Sequence, residues 1–280
     1  MQAPKVKIKI LGLSTAARKD MNTSWLVMYC LKVAEKAGRI LKDYVDVETE
    51  LVDLADKEIK PCRNCEYNHL PNRGRPYKGP RPQPIGCPIT DDYMALVLRK
   101  KLKEADGFVF GSPVFGLSTS SKLSLLKERM CPSMWAGDLT NKPAVSVAVG
   151  ETPGLGQEEC LEALNLMIRG GEMICVSWPM GVAGVSGPPF GPGPSDGDYA
   201  TRIGAKGDRF ATWLCGINGR RLVEFAYIVK SAKLLLGDAY TREFVQVYHP
   251  PRGDEPWAWT RLDKEDEEFM KNWPPKSAPA

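Results

Sequence analysis

The sequence predicts an α/β protein built on a doubly wound, five-stranded parallel sheet, and three observations carry that prediction. Short apolar, β-branched runs recur at 6–11, 107–111, 144–149 and 173–176. Stretches with apolar residues at helical spacing stand between them, and strand-helix alternation of this kind requires crossovers between parallel strands. The connection from the first run to the first helix is a polar turn rich in side-chain hydroxyls.

Val6, Ile8, Ile10 and Leu11 form the first strand, and Asn22-Thr23-Ser24 offers N-cap groups to a helix carrying Trp25, Leu26, Tyr29, Val33 and Ala37. In the second strand Val45, Val47, Thr49 and Leu51 alternate with acids and end at Val52-Asp53-Leu54, the pattern of a strand near a sheet edge. A helix is expected from Asp91-Asp92 to about Ala105, then a buried third strand over 107–111 that empties into a loop, Ser112-Pro113-Val114-Phe115-Gly116. A helix over 120–130, a fourth strand over 144–149, a Gly-rich turn over 150–156, a helix over 157–169 and a fifth strand over 173–176 complete the sheet. Two closing helices are expected, at 199–215 and 220–236.

The sheet domain is expected to occupy 1–237, with two irregular stretches inside it. Residues 60–88 are dominated by Pro, Arg, Gly, Asn and Lys, and 179–197 form a Gly/Pro loop long enough to be a lid or an oligomer contact. Residues 238–280 hold Trp257, Trp259 and Trp273 among Pro and acids, which fits an arm packed across a neighbouring surface better than a disordered tail. In 280 residues, 43% are hydrophobic and 26% charged, and the net charge of +4 gives no reason to invoke nucleic acid. No apolar run reaches membrane-spanning length and no signal-peptide core precedes the first strand, so a cytoplasmic location is expected. Eight Cys, scattered singly apart from Cys62 and Cys65, then read as thiols or ligands more than as a disulfide framework.

The turn after the first strand is suited to an anion. A strand-to-helix turn gathers unpaired N–H groups and the positive end of a helix dipole, and here Ser14, Thr15, Arg18, Asn22, Thr23 and Ser24 add hydroxyls and a guanidinium. Neither a G-x-x-x-x-G-K-[ST] nor a G-x-G-x-x-G pattern is present, and hydroxyl side chains suit a single terminal phosphate. An ordinary helix cap with an exposed Arg is the alternative.

Three blocks together resemble the NADPH-dependent FMN reductase family of the flavodoxin-like superfamily, and within it the iron-sulfur flavoprotein branch. They are Gly12-Leu13-Ser14 with Arg18-Lys19 and Asn22-Thr23-Ser24; Gly111-Ser112-Pro113-Val114-Phe115-Gly116 with Lys122-Leu123; and Gly150 through Gln157-Glu158. The resemblance covers about 5–214. It implies FMN as cofactor, with Ser14, Thr15, Arg18, Asn22, Thr23 and Ser24 at the phosphate. It places Ser112, Pro113, Val114, Phe115 and Gly116 along the isoalloxazine ring, and Glu151, Thr152, Gly154, Gly156 and Gln157 at its pyrimidine edge. Ala16 stands where the family usually has a second Ser, which removes one phosphate hydroxyl.

The iron-sulfur branch holds a [4Fe–4S] cluster on a C-x2-C-x2-C run with a fourth Cys shortly after. This chain has Cys62 and Cys65, Asn68 where the third Cys would stand, His69 one position beyond, and Cys87 after a long insertion. Cys62, Cys65, Cys87 and His69 are therefore candidate ligands for a cluster or for zinc, the alternative being unligated Cys in a basic loop that meets a substrate or partner.

The resemblance implies an FMN oxidoreductase in which NAD(P)H or a protein donor reduces the flavin. The acceptor would be a quinone, nitro compound, metal ion or free flavin. No catalytic side chain is nominated, because the cofactor carries the chemistry. The other reading is a flavin electron-transfer protein that docks a redox partner through the basic loop at 73–81. A homodimer or homotetramer is expected, since reductases of this family commonly complete the flavin site with a neighbouring subunit.

Overall fold

The computed structural model describes residues 5–63, 87–135, 137–185, 204–240 and 264–271. Strand β1 (Val6–Ser14), helix α1 (Asn22–Ile40) and strand β2 (Val45–Asp53) make the first crossover. A π-helical turn (Met94–Leu98) runs into α2 (Arg99–Glu104), followed by β3 (Gly107–Phe115), β4 (Ser118–Thr119), α3 (Ser121–Arg129) and α4 (Cys131–Trp135). Then come β5 (Pro143–Gly150), α5 (Gln157–Gly170), β6 (Ile174–Cys175), β7 (Val182–Val185), α6 (Gly204–Gly207), α7 (Arg209–Leu236) and α8 (Lys264–Lys271).

The sheet runs β2-β1-β3-β5-β6, parallel throughout, with β4 an antiparallel addition to β3. This is the flavodoxin-like order, and it reverses direction between β1 and β3. As expected, β2 is an edge strand, which is why its charged residues alternate with apolar ones. Strand β5 is buried along its whole length, as a central parallel strand covered on both faces must be.

Two apolar layers cover the sheet. On one face Ile8, Ile10, Val109, Val145 and Val147 pack against Leu26, Val27 and Leu31 of α1 and Leu214, Leu222 and Val223 of α7. On the other, Leu11, Leu13, Phe108 and Phe110 meet Met94, Leu98, Leu102, Leu126, Leu164 and Ile168. Each fully buried side chain of this size contributes roughly 1.5–3 kcal/mol. Glycine sets how closely α1 approaches: a Cβ on Gly12 would come within 2.7 Å of Val27 and Leu31 side-chain atoms.

Four expectations need correction. Residues 112–115 are not a loop but the end of β3: beyond the point where β1 stops at Ser14–Gly111, Ser112 and Pro113 still pair with β5, and Val114 and Phe115 pair with β4. On the side β1 has left, the N–H that Pro113 lacks is not needed. The 179–197 segment contains a strand, β7, which takes the carboxyl half of β5 while β6 takes the amino half, so the fifth strand comes in two pieces. Residues 209–236 form one helix, not two. Gly219 does not break it but lets it approach α1, where a Cβ would lie 2.7 Å from the Cys30 carbonyl. Finally, Met21 is the N-cap of α1, so Asn22, Thr23 and Ser24 form its first turn.

Most of the 60–88 insertion, residues 186–203 and most of the 238–280 arm lie outside the described residues. Among the described residues no helix is long and apolar enough to cross a membrane.

Candidate functional site

The loops after β1, β3 and β5 meet at the carboxyl ends of their strands, over the reversal point, and hydrogen bonds join the first two. Thr15 donates twice to the Gly111 carbonyl, from its amide at 2.8 Å and its hydroxyl at 3.0 Å. Ser120, the N-cap of α3, donates to the Thr15 carbonyl at 2.8 Å and lies 3.0 Å from the Thr15 hydroxyl. The Ser120 amide in turn donates to the Ser112 hydroxyl at 3.1 Å. Thr15 and Ser112 thus spend their hydroxyls on joining loops, and both are almost fully buried.

The phosphate candidates divide the same way. Ser14 and Ser24 hydroxyls are 2.9 Å apart, and Ser24 donates to a carboxylate oxygen of Asp53 at the end of β2. The same carboxylate accepts from the amides of Asp20 at 3.1 Å and Ala55 at 3.0 Å. Asn22 uses its side-chain oxygen to accept from the Ala205 amide at 2.9 Å, tying α1 to α6. Thr23 makes no side-chain hydrogen bond among the described residues, and Arg18 is exposed on the turn. The first intrahelical bond of α1 is from the Trp25 amide to the Met21 carbonyl at 2.9 Å, so the amides of residues 22–24 precede it. First-turn amides, the Thr23 hydroxyl and the Arg18 guanidinium are therefore the groups best placed to receive a phosphate.

The other two walls differ in chemistry. Gly116 and Leu117 both have positive φ, 57° and 62°, and form the two-residue turn that pairs Val114–Phe115 with β4. In the third loop Gly156, at φ 94°, packs so tightly that a Cβ would lie 2.6 Å from the Leu117 carbonyl oxygen. Gln157 is buried and folds this loop on itself, donating to the Thr152 carbonyl at 2.6 Å and accepting from the Leu155 amide at 3.0 Å. Its amide is spent within the loop, whereas Glu151 and Gly154 are exposed. Phe115, Leu117 and Leu155 are exposed apolar side chains on these two loops. A planar aromatic ligand held at one end by phosphate would find hydrogen-bonding groups at that end and apolar surface beside it.

The candidate metal ligands are only partly accessible to description, because Cys65 and His69 lie outside the described residues. Cys87 is buried and Cys62 half-buried, and among the described residues no three His, Cys, Asp or Glu side chains stand together in ligating positions. Burial pushes the Cys131 thiol up, and the nearby Cys62 thiol and Glu128 carboxylate add to the effect.

Sequence reasoning missed two groups. Asp53 had a signal, a carboxylate at the end of an edge strand beside β1. The buried pair Arg129–Asp92 had none, since its partners are 37 positions apart. Burial pushes the Asp92 carboxyl up, but hydrogen bonds from Arg129 and from the Ala95 and Lys60 amides outweigh it and hold it below the ordinary carboxylate value.

A 2-1-3 strand reversal carrying an amide- and hydroxyl-lined turn defines a flavodoxin-like protein. The chain belongs to the NADPH-dependent FMN reductase family, whose model matches residues 8–180. It is 33% identical over 189 residues to an iron-sulfur flavoprotein of Methanocaldococcus jannaschii, covering 68% of this chain and 86% of that one. An iron-sulfur flavoprotein of Archaeoglobus fulgidus is 27% identical over 158 residues, covering 55% and 68% respectively. The structure of RosB with bound 8-demethyl-8-formylriboflavin-5'-phosphate matches with a TM-score of 0.57 and 19% identity, covering 92% of this chain and 95% of that one. That last likeness is one of fold. Family membership makes the chain an FMN-dependent oxidoreductase in general terms.

Proposed function

We propose that the chain binds FMN without a covalent link and uses it to pass electrons from NAD(P)H to a small acceptor such as a quinone, nitro compound, metal ion or free flavin. The observation that carries this reading is the meeting of the amide-rich turn after β1 with the apolar residues of the β3 and β5 loops, held together by the paired Thr15–Gly111 hydrogen bonds. The donor set fits a phosphate monoester: first-turn amides, Thr23 and Arg18 face a terminal group, while nothing resembles a pyrophosphate fingerprint. When bound, FMN would accept two electrons from the donor and return them to the acceptor. The protein's part is to fix the phosphate end, present Phe115, Leu117 and Leu155 to the ring, and offer the β3 and β5 backbone to its polar edge.

HPLC of the heat-released cofactor should yield FMN; FAD, or no flavin after reconstitution, overturns the assignment. Mixing the loaded protein anaerobically with NADH or NADPH should bleach the flavin absorbance with saturable dependence on nucleotide. A second reading is favoured by the relatives' names and by the thiols beside the insertion: an electron-transfer flavoprotein with an iron-sulfur cluster that docks a redox partner. Bleaching by a reduced protein donor, with none by either nucleotide, selects it.

A further inference from the structure

Lys122 stands in the first turn of α3, just after the hairpin of β3 and β4. Its ammonium donates to the Leu54 carbonyl and, at 2.6 Å, to the Lys57 carbonyl, so it closes both ends of the short turn that follows β2. That turn is itself tied to the candidate phosphate site. The Leu54 amide donates to the Ser14 carbonyl at 2.9 Å, and Asp53, the residue before it, accepts from Ser24 and from the Asp20 and Ala55 amides.

The same end of α3 also holds the loop after β1, because Ser120, two residues before Lys122, donates to the Thr15 carbonyl at 2.8 Å. One helix start thus fixes the loop after β1 and the turn after β2 relative to the hairpin that carries Phe115 and Leu117. Charge adds to this geometry. All three donors to Asp53 are neutral, so among the described residues its charge is not met by direct contact. Burial lowers the pKa of the half-buried Lys122 ammonium against the pull of the Asp56 and Asp53 carboxylates, which places both acids within its field.

We propose that Lys122 is a positioning residue for the phosphate subsite. It holds the 54–57 turn, and through it Asp53 and Ser24, against the first turn of α1, while its charge offsets that of Asp53 beside a phosphate group. With two of its three N–H groups on carbonyls, it acts through these residues and not as a phosphate ligand. Riboflavin, which has the same ring and no phosphate, would gain nothing from it. The inference rests on the FMN reading and deepens it: selection for the phosphate extends to a side chain of α3.

The test uses the full chain freed of flavin. Wild type, Lys122→Met and a control exposed on the same helix, Lys127→Met, are titrated with FMN and with riboflavin and followed by flavin fluorescence. Wild type and the control should prefer FMN, and Lys122→Met should lose that preference several-fold, binding FMN more weakly and riboflavin as wild type does. A contact that only stabilises the fold would weaken both ligands alike or neither, so the ratio of the two affinities separates positioning from stability. Lys122→Gln, which keeps an amide donor for the turn, provides the same ratio if the Met variant does not fold. An unchanged ratio, whether both affinities fall together or neither falls, overturns the inference and leaves the FMN reading standing. A wild type that binds FMN no better than riboflavin overturns the phosphate reading and the inference with it.

Discussion

Ser24 donates its hydroxyl proton to Asp53, which places a carboxylate at the edge of the turn that would hold a phosphate. Asp53 also receives the amides of Asp20 and Ala55, so it shapes the turn while opposing the charge the turn is suited to bind. The two roles can be separated. Asp53→Ala removes all three hydrogen bonds and should destabilise the protein by about 1–3 kcal/mol. Asp53→Asn removes the negative charge and, with its one remaining acceptor oxygen on Ser24 and Asp20, gives up only the Ala55 contact, so FMN should bind several-fold more tightly in a fluorescence titration, most clearly at low salt where charge effects are least screened. Weaker binding by the Asn variant would mean that the carboxylate helps order the phosphate groups more than it repels the ligand.

Arg18 is exposed on the same turn, where its charge is free to meet a phosphate. Arg18→Ala should weaken FMN binding by roughly 1 to 3 kcal/mol, the value of a charge-assisted hydrogen bond, without changing the unfolding midpoint. Unchanged affinity would show that the first-turn amides of α1 hold the phosphate without it.

The contrast between Arg18 and Asp53 shows what a sequence makes legible here. The positions of β1, β3, β5 and β6 could be read because parallel strands covered on both faces need apolar runs, and each run occupies its own few residues. The direction of each hydroxyl could not. Thr15, expected at the phosphate, and Ser112, expected along the ring, turn inward instead to join two loops, because the paired ends of β1 and β3 bring the Gly111 carbonyl within reach of Thr15 and the Ser112 hydroxyl within reach of the Ser120 amide. The helix break expected between 215 and 220 fails for a related reason: the value of Gly219 there lies in contact with Cys30, which is 189 positions away from it. Arg129 and Asp92 carry no local pattern at all, since a buried ion pair is a statement about tertiary neighbours.

Lys142 gives a pH signature. Its ammonium is buried beneath the sheet and donates to the carbonyls of Leu102 at 3.0 Å and Lys103 at 2.7 Å, at the end of α2. Burial, with a contribution from Lys233, lowers its pKa to about 8. Between about 8 and the ordinary value of 10.5 the unfolded chain binds more protons at this site than the folded one, so this group makes stability rise with pH across that window. Below it both states are charged and the burial penalty is present in full. Lys142→Met should therefore lose this rise: relative to the variant, wild type should gain stability as denaturant midpoints are measured from pH 7 to pH 10. A difference that stays flat over that range would show that Lys142 titrates normally.

The assembly prediction rests on the outer face of α7. Phe210 and Trp213 stack with ring centroids 5.5 Å apart, and Trp178 meets Trp213 edge-on at 5.8 Å. All three rings are substantially exposed, as are Ile228, Leu234 and Leu235 further along the same helix. Apolar groups of this size left to solvent are an aggregation liability, and covering each large side chain contributes about 1.5–3 kcal/mol. A homodimer or homotetramer is therefore expected, with the aromatic cluster at its contact. Phe210→Glu combined with Trp213→Glu should lower the sedimentation coefficient to that of a smaller species, because charges facing across a symmetric contact meet their own copies. Removing residues after Gly237 distinguishes the cluster from the arm: if the arm wraps a second subunit, truncation alone should dissociate the oligomer, and flavin retention should fall if the site is shared. A full-length chain that sediments as a monomer refutes the assembly, whereas an oligomer that survives truncation and fails only in the double Glu variant places the contact on α7.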